Sequence, residues 1–162
     1  KNIEQLIRIA PKLPGIHPNL HICIVGRPDD FSRALESGVK RDAVTFFGPA
    51  TEEERTQLVS NATAYVSPSR DEGFDLPTLE ALAVGTPVIA SDIPTHRELL
   101  DQVADFFTPD DDTALLAAIH RLHADTERRG ILSARGIAHA RTFTWERCAS
   151  QTLDAYQGIA TR

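Results

Sequence analysis

The sequence predicts an α/β fold, a parallel sheet with helices on both faces, in a single domain of 162 residues. Three observations carry this expectation. Short apolar runs alternate with helix-periodic segments from one end of the chain to the other. The run Val88-Ile89-Ala90 is apolar without alternation, as a strand covered on both faces must be. Gly or Pro follows each run within a few residues, as at Gly26-Arg27-Pro28 and Gly48-Pro49. Ligands of such sheets bind beyond the carboxyl ends of the strands. The loops carrying Gly26, Gly48, Glu72 and Glu98 all belong to that edge.

In chain order, Ile3, Leu6, Ile7 and Ala10 recur at helical spacing, and Pro11 with Pro14-Gly15 ends that helix near Leu13. Leu20 to Val25 reads as a strand, with Cys23 expected as a small core residue. Asp29-Asp30 suits the cap of a helix to about Ser37, which Gly38 ends. Ala43 to Phe47 is a strand. Thr51 followed by Glu54 forms a capping box for a helix to about Asn61, so Glu52-Glu53-Glu54 reads as a solvated first turn rather than a metal site. Ser91 to Glu98 leaves a strand and starts a helix. His96 reads there as a surface residue, with a general base or polar contact as the alternative. Val103 to Phe107 is the last strand. Thr108 to Asp112 reads as loop and helix cap, because the spacing lacks the Gly and terminal Glu of a Ca²⁺ loop. Leu115, Leu116, Ile119 and Leu122 form the buried side of the next helix, and His120 and His123 its exposed side. Helices over 127–142 and from Phe143-Thr144-Trp145 to about Tyr156 complete the chain.

The stretch from Ser67 to Leu100 organises the rest. Pro68 cannot donate to a ladder, so the strand Ala64-Tyr65-Val66 ends there. Gly73 lets backbone approach a ligand closely. Pro77 sits in the first turn of a helix, where its missing N–H costs nothing. Leu79, Leu82 and Ala83 give that helix a buried face, and Gly85 stops it. Glu72 precedes the helix and Glu80 lies about one turn into it, so both can face one elongated ligand over the helix N-terminus. The free N–H groups there suit phosphate, and a carboxylate suits adjacent sugar hydroxyls. Carboxylate, anion hole and carboxylate together fit a nucleotide sugar. Solvated glutamates of loop and helix are the plain alternative.

Glu72, Gly73, Phe74, Leu76, Pro77 and Glu80, followed by Ala81-Leu82-Ala83 and Gly85-Thr86-Pro87-Val88-Ile89-Ala90-Ser91, closely resemble the donor-site signature of glycosyltransferase family 4, retaining enzymes of the GT-B fold. One position departs: Asp75 stands where a glycine is usual, beside the diphosphate or the donor sugar. The resemblance covers nearly the whole chain. It implies a Rossmann-like, C-terminal GT-B domain, with an N-terminal domain, a first strand and a loop arginine preceding Lys1. It further implies transfer of a sugar from a nucleotide-diphosphate donor, such as a UDP- or GDP-sugar, to an acceptor hydroxyl with retained configuration and no metal or other cofactor. Glu72 is the implied catalytic and sugar-binding residue, Glu80 the ribose ligand, and Gly73 with Phe74 the backbone donors. Asp75 and Leu76 share the donor site, and Gly26, Arg27 and Gly48 lie near the nucleotide. Lys1 is the implied phosphate lysine, with a frayed terminal residue as the alternative. For Arg27 a solvated surface position is the alternative. Glu98 matches a family glutamate, but the glycine pair before it is absent. The last helix resembles one that packs toward the partner domain, which would carry the acceptor glycan or lipid-linked acceptor.

Net charge is −6 with pI ≈ 5.5, which argues against nucleic acid as a general partner. No apolar run is long enough to span a membrane. Cys23 and Cys148 are too few for a disulfide framework, so a reducing cytoplasm is expected, with peripheral placement at the inner membrane face through the missing domain. The chain starts at Lys1 and reads as an excised piece. A nicotinamide-dependent oxidoreductase would carry Gly-x-Gly-x-x-Gly after a strand, which is not present. A non-catalytic module that keeps the fold alone is the second rival.

Overall fold

The computed structural model describes residues 1–26 and 44–160. Arg27, the helix expected over Asp29–Ser37 and the first residue of the strand expected from Ala43 lie outside the described residues. The first helix, α1 (Ile3–Ile9), tightens into a 3₁₀ segment, Ala10–Gly15. The rest runs β1 (Ile22–Val25), β2 (Val44–Gly48), α2 (Glu52–Ser60), β3 (Tyr65–Ser67), α3 (Leu76–Ala83), β4 (Val88–Ser91), α4 (Pro94–Leu100), β5 (Ala104–Phe107), α5 (Asp112–Ala124), α6 (Thr126–Ala140) and α7 (Trp145–Ala160).

All strand pairs are parallel, but they form two ladders: β1 with β2, and β3-β4-β5 in that order. β1 pairs along one edge with β2 and β3 along one edge with β4. The other edge of each carries no strand among the described residues. Both ladders nevertheless reach one apolar cluster. Leu6, Ile9 and Leu13 meet Ile89, Phe107, Leu115, Leu122 and Leu132, with Ile22 and Val66 packed against them.

Alternation along the central strand explains the two faces. Ile89 points into that first cluster, while Val88 and Ala90 point into a second one with Leu79, Ala81 and Leu82 of α3 and Leu99 and Leu100 of α4. Every residue of β4 is buried, so its uninterrupted apolar run reflects cover on both sides. β1 behaves differently. Ile22 and Ile24 face Ala10 and Val44, and Cys23, one residue out of phase, is exposed. The expectation of a core cysteine is therefore corrected: strand alternation turns its side chain away from the cluster.

Capping follows the sequence closely. Thr51 Oγ1 accepts from Glu54 N at 3.2 Å, and Glu54 Oε2 accepts from Thr51 N at 2.8 Å. Asp111 Oδ1 accepts from Ala114 N at 2.9 Å at the start of α5, and Asp125 Oδ1 accepts from Arg128 N at 2.8 Å at the start of α6. Gly85 ends α3 with φ 83°, a conformation that glycine adopts without steric cost.

The α3–α6 contact depends on a second glycine. A Cβ on Gly136 would lie 2.7 Å from Leu82 Cδ2, and Leu82 is fully buried. Gly136→Ala gains up to about 1 kcal/mol of helix propensity. Overpacking against an immobile core side chain costs about 1–3 kcal/mol. The expected result is net destabilisation of about 1 kcal/mol, read as a lower urea midpoint at unchanged slope; an unchanged or higher midpoint would show that α6 can shift.

Candidate functional site

The site is built around the loop from β3 to α3. Ser67 closes β3, and the loop then passes Ser69, Glu72 and Gly73 before entering α3 at Leu76. Thr95, in the first turn of α4, donates its hydroxyl to the Glu72 carbonyl at 2.8 Å. Ser91, the last residue of β4, donates its hydroxyl to the Ser69 carbonyl. Asn2 donates its amide to the Pro68 carbonyl at 3.1 Å. Three parts of the chain thus hold the loop by its backbone, at the carboxyl edge of the β3-β4-β5 ladder.

Glu72 is nearly buried, its side chain 11% exposed. Its Oε1 accepts from Ser69 Oγ and from Lys1 Nζ, each at 2.5 Å. Lys1 also reaches Asp75 Oδ1 at 3.3 Å. Partial burial disfavours the Lys1 ammonium, but the hydrogen bond to Glu72 and the charges of Asp75 and Glu72 outweigh it and raise its pKa. Lys1 is therefore tied to the loop, not frayed.

Asp75 adopts φ 69°, the left-handed region that few non-glycine residues visit. Its side chain is 1% exposed. Oδ2 accepts from Ser67 Oγ at 2.7 Å, from Thr78 Oγ1, and from His96 Nε2 at 3.1 Å. The carboxylate is turned into the protein, with only Oδ1 reaching Lys1. His96 is fully buried, so the expectation of a surface histidine is corrected. Its Nδ1 lies 2.9 Å from the Ser91 carbonyl and its Nε2 faces the Asp75 carboxylate. A carbonyl on one side and a carboxylate on the other suit donation from both ring nitrogens, as in an imidazolium. Burial disfavours that charge, but the hydrogen bonds to Asp75 and the Ser91 carbonyl raise the His96 pKa. Burial likewise opposes the Asp75 anion, and the hydrogen bonds from His96, Thr78 and Ser67 overcome it, holding the pKa well below the usual carboxylate range.

Glu80 lies on α3 with its side chain half exposed, paired to Arg55 of α2 at 3.2 Å. Tyr65 of β3 lies within electrostatic reach of Asp75, Glu72 and Glu80 together. Burial first, then these three carboxylates, push its phenol pKa up. Phe74 (43% exposed) and Leu76 (49% exposed) leave the loop toward solvent. The Phe74 ring meets Phe143 edge-on at 6.2 Å. Gly26 and Gly48 come together at the ends of β1 and β2, where Gly26 N donates to the Gly48 carbonyl at 3.0 Å. Glu98 is exposed on α4.

The structure thus brings Lys1, Glu72 and Asp75 together through the Lys1 ammonium, leaves Glu80 paired with Arg55, and keeps Gly26 and Gly48 on the other ladder. Ser69, Thr95 and Tyr65 are the site residues that sequence reasoning missed. Among the described residues no group of three His, Cys, Asp or Glu side chains is placed to hold a metal. A cleft of about 460 Å³ lined by Gln102, Ala104, Asp125 and Arg128 sits at the start of β5 and shares no residue with this loop.

Comparison with known proteins places this geometry. The family model for group 1 glycosyl transferases matches residues 1–125. O-antigen chain mannosyltransferase B of Escherichia coli is 35% identical over 97% of this chain and 42% of its own length. O-antigen chain mannosyltransferase RfbU of Salmonella typhimurium is 40% identical over 75% of this chain and 35% of its own. A solved sucrose-phosphate synthase from Thermosynechococcus elongatus superposes with TM-score 0.86 at 30% identity, covering 99% of this chain and 43% of that one. The chain spans less than half the length of each of these relatives. With a family model matched from Lys1 through α5, across the whole Glu72 loop, the chain belongs to the group 1 glycosyl transferases, with the α/β architecture of the GT-B enzymes.

Proposed function

We propose that this chain is the donor-binding domain of a retaining GT-B glycosyltransferase of family 4, a hexosyltransferase that moves a sugar from a nucleotide-diphosphate donor to an acceptor hydroxyl. One observation carries the reading: the Lys1 ammonium and the Glu72 carboxylate converge on a loop that opens directly into α3. In this reading Lys1 turns from Glu72 to the donor diphosphate, beside the positive dipole end of α3. Glu72 is then free to accept from hydroxyls of the transferred sugar. As the glycosidic bond breaks, charge grows on the leaving diphosphate, and the ammonium and helix N-terminus stabilise it more than they do the ground state. Gly73, Phe74 and Leu76 line the sugar, and Gly26, Arg27 and Gly48 border the nucleotide.

The acceptor site belongs, in this reading, to an N-terminal domain. Two features of the fold support such a neighbour. Among the described residues β1 and β3 each have one edge without a strand, and both strands reach one core, which suits a further parallel strand between them. Helix α7 keeps Trp145, Leu153, Tyr156 and Ile159 exposed, an apolar face suited to burial against another domain. No helix among the described residues is long and apolar enough to cross a membrane. A cytoplasmic enzyme, with its glycan or lipid-linked acceptor held by the other domain, remains the proposed setting.

Titration of the full-length protein with UDP, GDP and their sugars tests the reading. Binding of none of them would end it. Glu80 is assigned the ribose hydroxyls, in exchange for Arg55. Glu80→Ala is expected to weaken both nucleotide and nucleotide-sugar binding by about 1.5–3 kcal/mol, because a charged hydrogen-bond acceptor is lost. Unchanged nucleotide affinity by calorimetry would remove the ribose assignment.

A further inference from the structure

We propose that the buried Asp75–His96 ion pair is a positioning device that sets the sugar-facing geometry of Glu72; this rests on the donor-site reading above. The side chains of Asp75 and His96 are 1% and 0% exposed, so they offer no surface to the donor. They act through what they join. Asp75 binds Ser67 at the end of β3, Thr78 in the first turn of α3, Lys1 at the chain start and His96 on α4. His96 passes the link to the Ser91 carbonyl at the end of β4. Its neighbour Thr95 holds the Glu72 carbonyl, and the Ser91 hydroxyl holds the Ser69 carbonyl. Ser69 in turn donates to the Glu72 carboxylate. Of the groups that orient Glu72, Lys1 contacts Asp75, Thr95 adjoins His96, and Ser69 is linked to His96 through Ser91.

A simpler role for Asp75 would be to supply the left-handed turn before α3. Glycine adopts φ 69° at no steric cost, and asparagine visits it more readily than most residues. The two roles separate by substitution. If only the turn matters, Asp75→Gly is neutral. If the ion pair positions Glu72, Asp75→Gly and Asp75→Asn both loosen the loop although the backbone is satisfied.

The measurement is the ratio of nucleotide-sugar to nucleoside-diphosphate affinity in the full-length protein. The probes are UDP-glucose against UDP and GDP-mannose against GDP, using whichever pair the wild type binds. Both Asp75 variants, and His96→Gln as an independent one, are expected to weaken nucleotide-sugar binding about tenfold or more. Nucleoside-diphosphate binding should fall by clearly less than nucleotide-sugar binding, because Asp75 meets the Lys1 ammonium only at 3.3 Å while Glu72 meets it at 2.5 Å. Retained diphosphate binding also certifies that each variant folds. A wild-type ratio in Asp75→Gly overturns the proposal, as does equal loss of both ligands across all three variants, which would mark a merely structural pair. A wild type that binds neither ligand overturns the donor-site reading, and this inference with it.

Discussion

Full-length enzyme carrying Glu72→Gln is expected to lose about 100-fold or more in kcat while keeping its stability. The substitution keeps the shape of the side chain. Ser69 can still donate to the amide oxygen, and the Glu72 backbone is held by Thr95 regardless. What disappears is the negative charge that, in the function proposed above, accepts from sugar hydroxyls and balances charge at the reacting carbon. Removing one group that stabilises developing charge in a dry site typically costs about 10²–10³ in kcat. The Lys1–Glu72 pair also goes, but Lys1 is 59% exposed, and exposed pairs contribute only about 0–1 kcal/mol. Steady-state kinetics with a urea melt of the same preparation separates the two effects. A kcat within about threefold of wild type would remove Glu72 from the chemistry.

Much of the fold was legible because it depends on short-range rules. The Thr51–Glu54 box, Pro77 in the first turn of α3 and the stop at Gly85 each follow from one residue's backbone chemistry. The β4 run was legible because strand alternation makes cover on both faces visible in three consecutive residues. The split into two ladders was not, since a strand's partners are set by the whole topology. Cys23 was misread because burial depends on phase within β1, and a four-residue strand gives little phase to read.

In the site, spacing around a helix start singled out Glu72 and Glu80, and the structure ties Glu72 to Lys1 and Ser69 and Glu80 to Arg55. Ser69, Thr95 and Tyr65 were not, because common polar residues carry no spacing signal and matter here only through contacts made across the fold. His96 did leave one. It stands three and four residues before Leu99 and Leu100, on the same face of α4, and all three are buried. Reading that stripe as apolar residues plus one histidine would have placed the ring in the interior. The inward turn of Asp75 then follows, since a buried imidazolium needs an anion beside it.

That pairing predicts the largest stability effect in the molecule. His96→Leu is expected to destabilise the domain by about 3–5 kcal/mol, the usual cost of removing one partner of a buried ion pair. The apolar side chain packs acceptably, so the cost comes from the Asp75 anion left with Ser67, Thr78 and Lys1 alone. The pair also has a pH signature. The His96 pKa is raised on folding, so its contribution is complete below the ordinary value near 6.5 and is lost as pH rises through the folded value. The Asp75 pKa is depressed, so its contribution is complete above about 3.9 and is lost as pH falls through the folded value. Lys1, Glu72 and Tyr65 also face the pair. The Lys1 and Tyr65 pKa values are raised, so neither changes charge in the neutral range. The stability gap between wild type and His96→Leu should therefore be widest between about pH 4 and 6.5 and narrow above it. Urea melts across this range would measure it. A gap that stays constant through the alkaline limb would mean that His96 is neutral in the fold, held by hydrogen bonding rather than by charge.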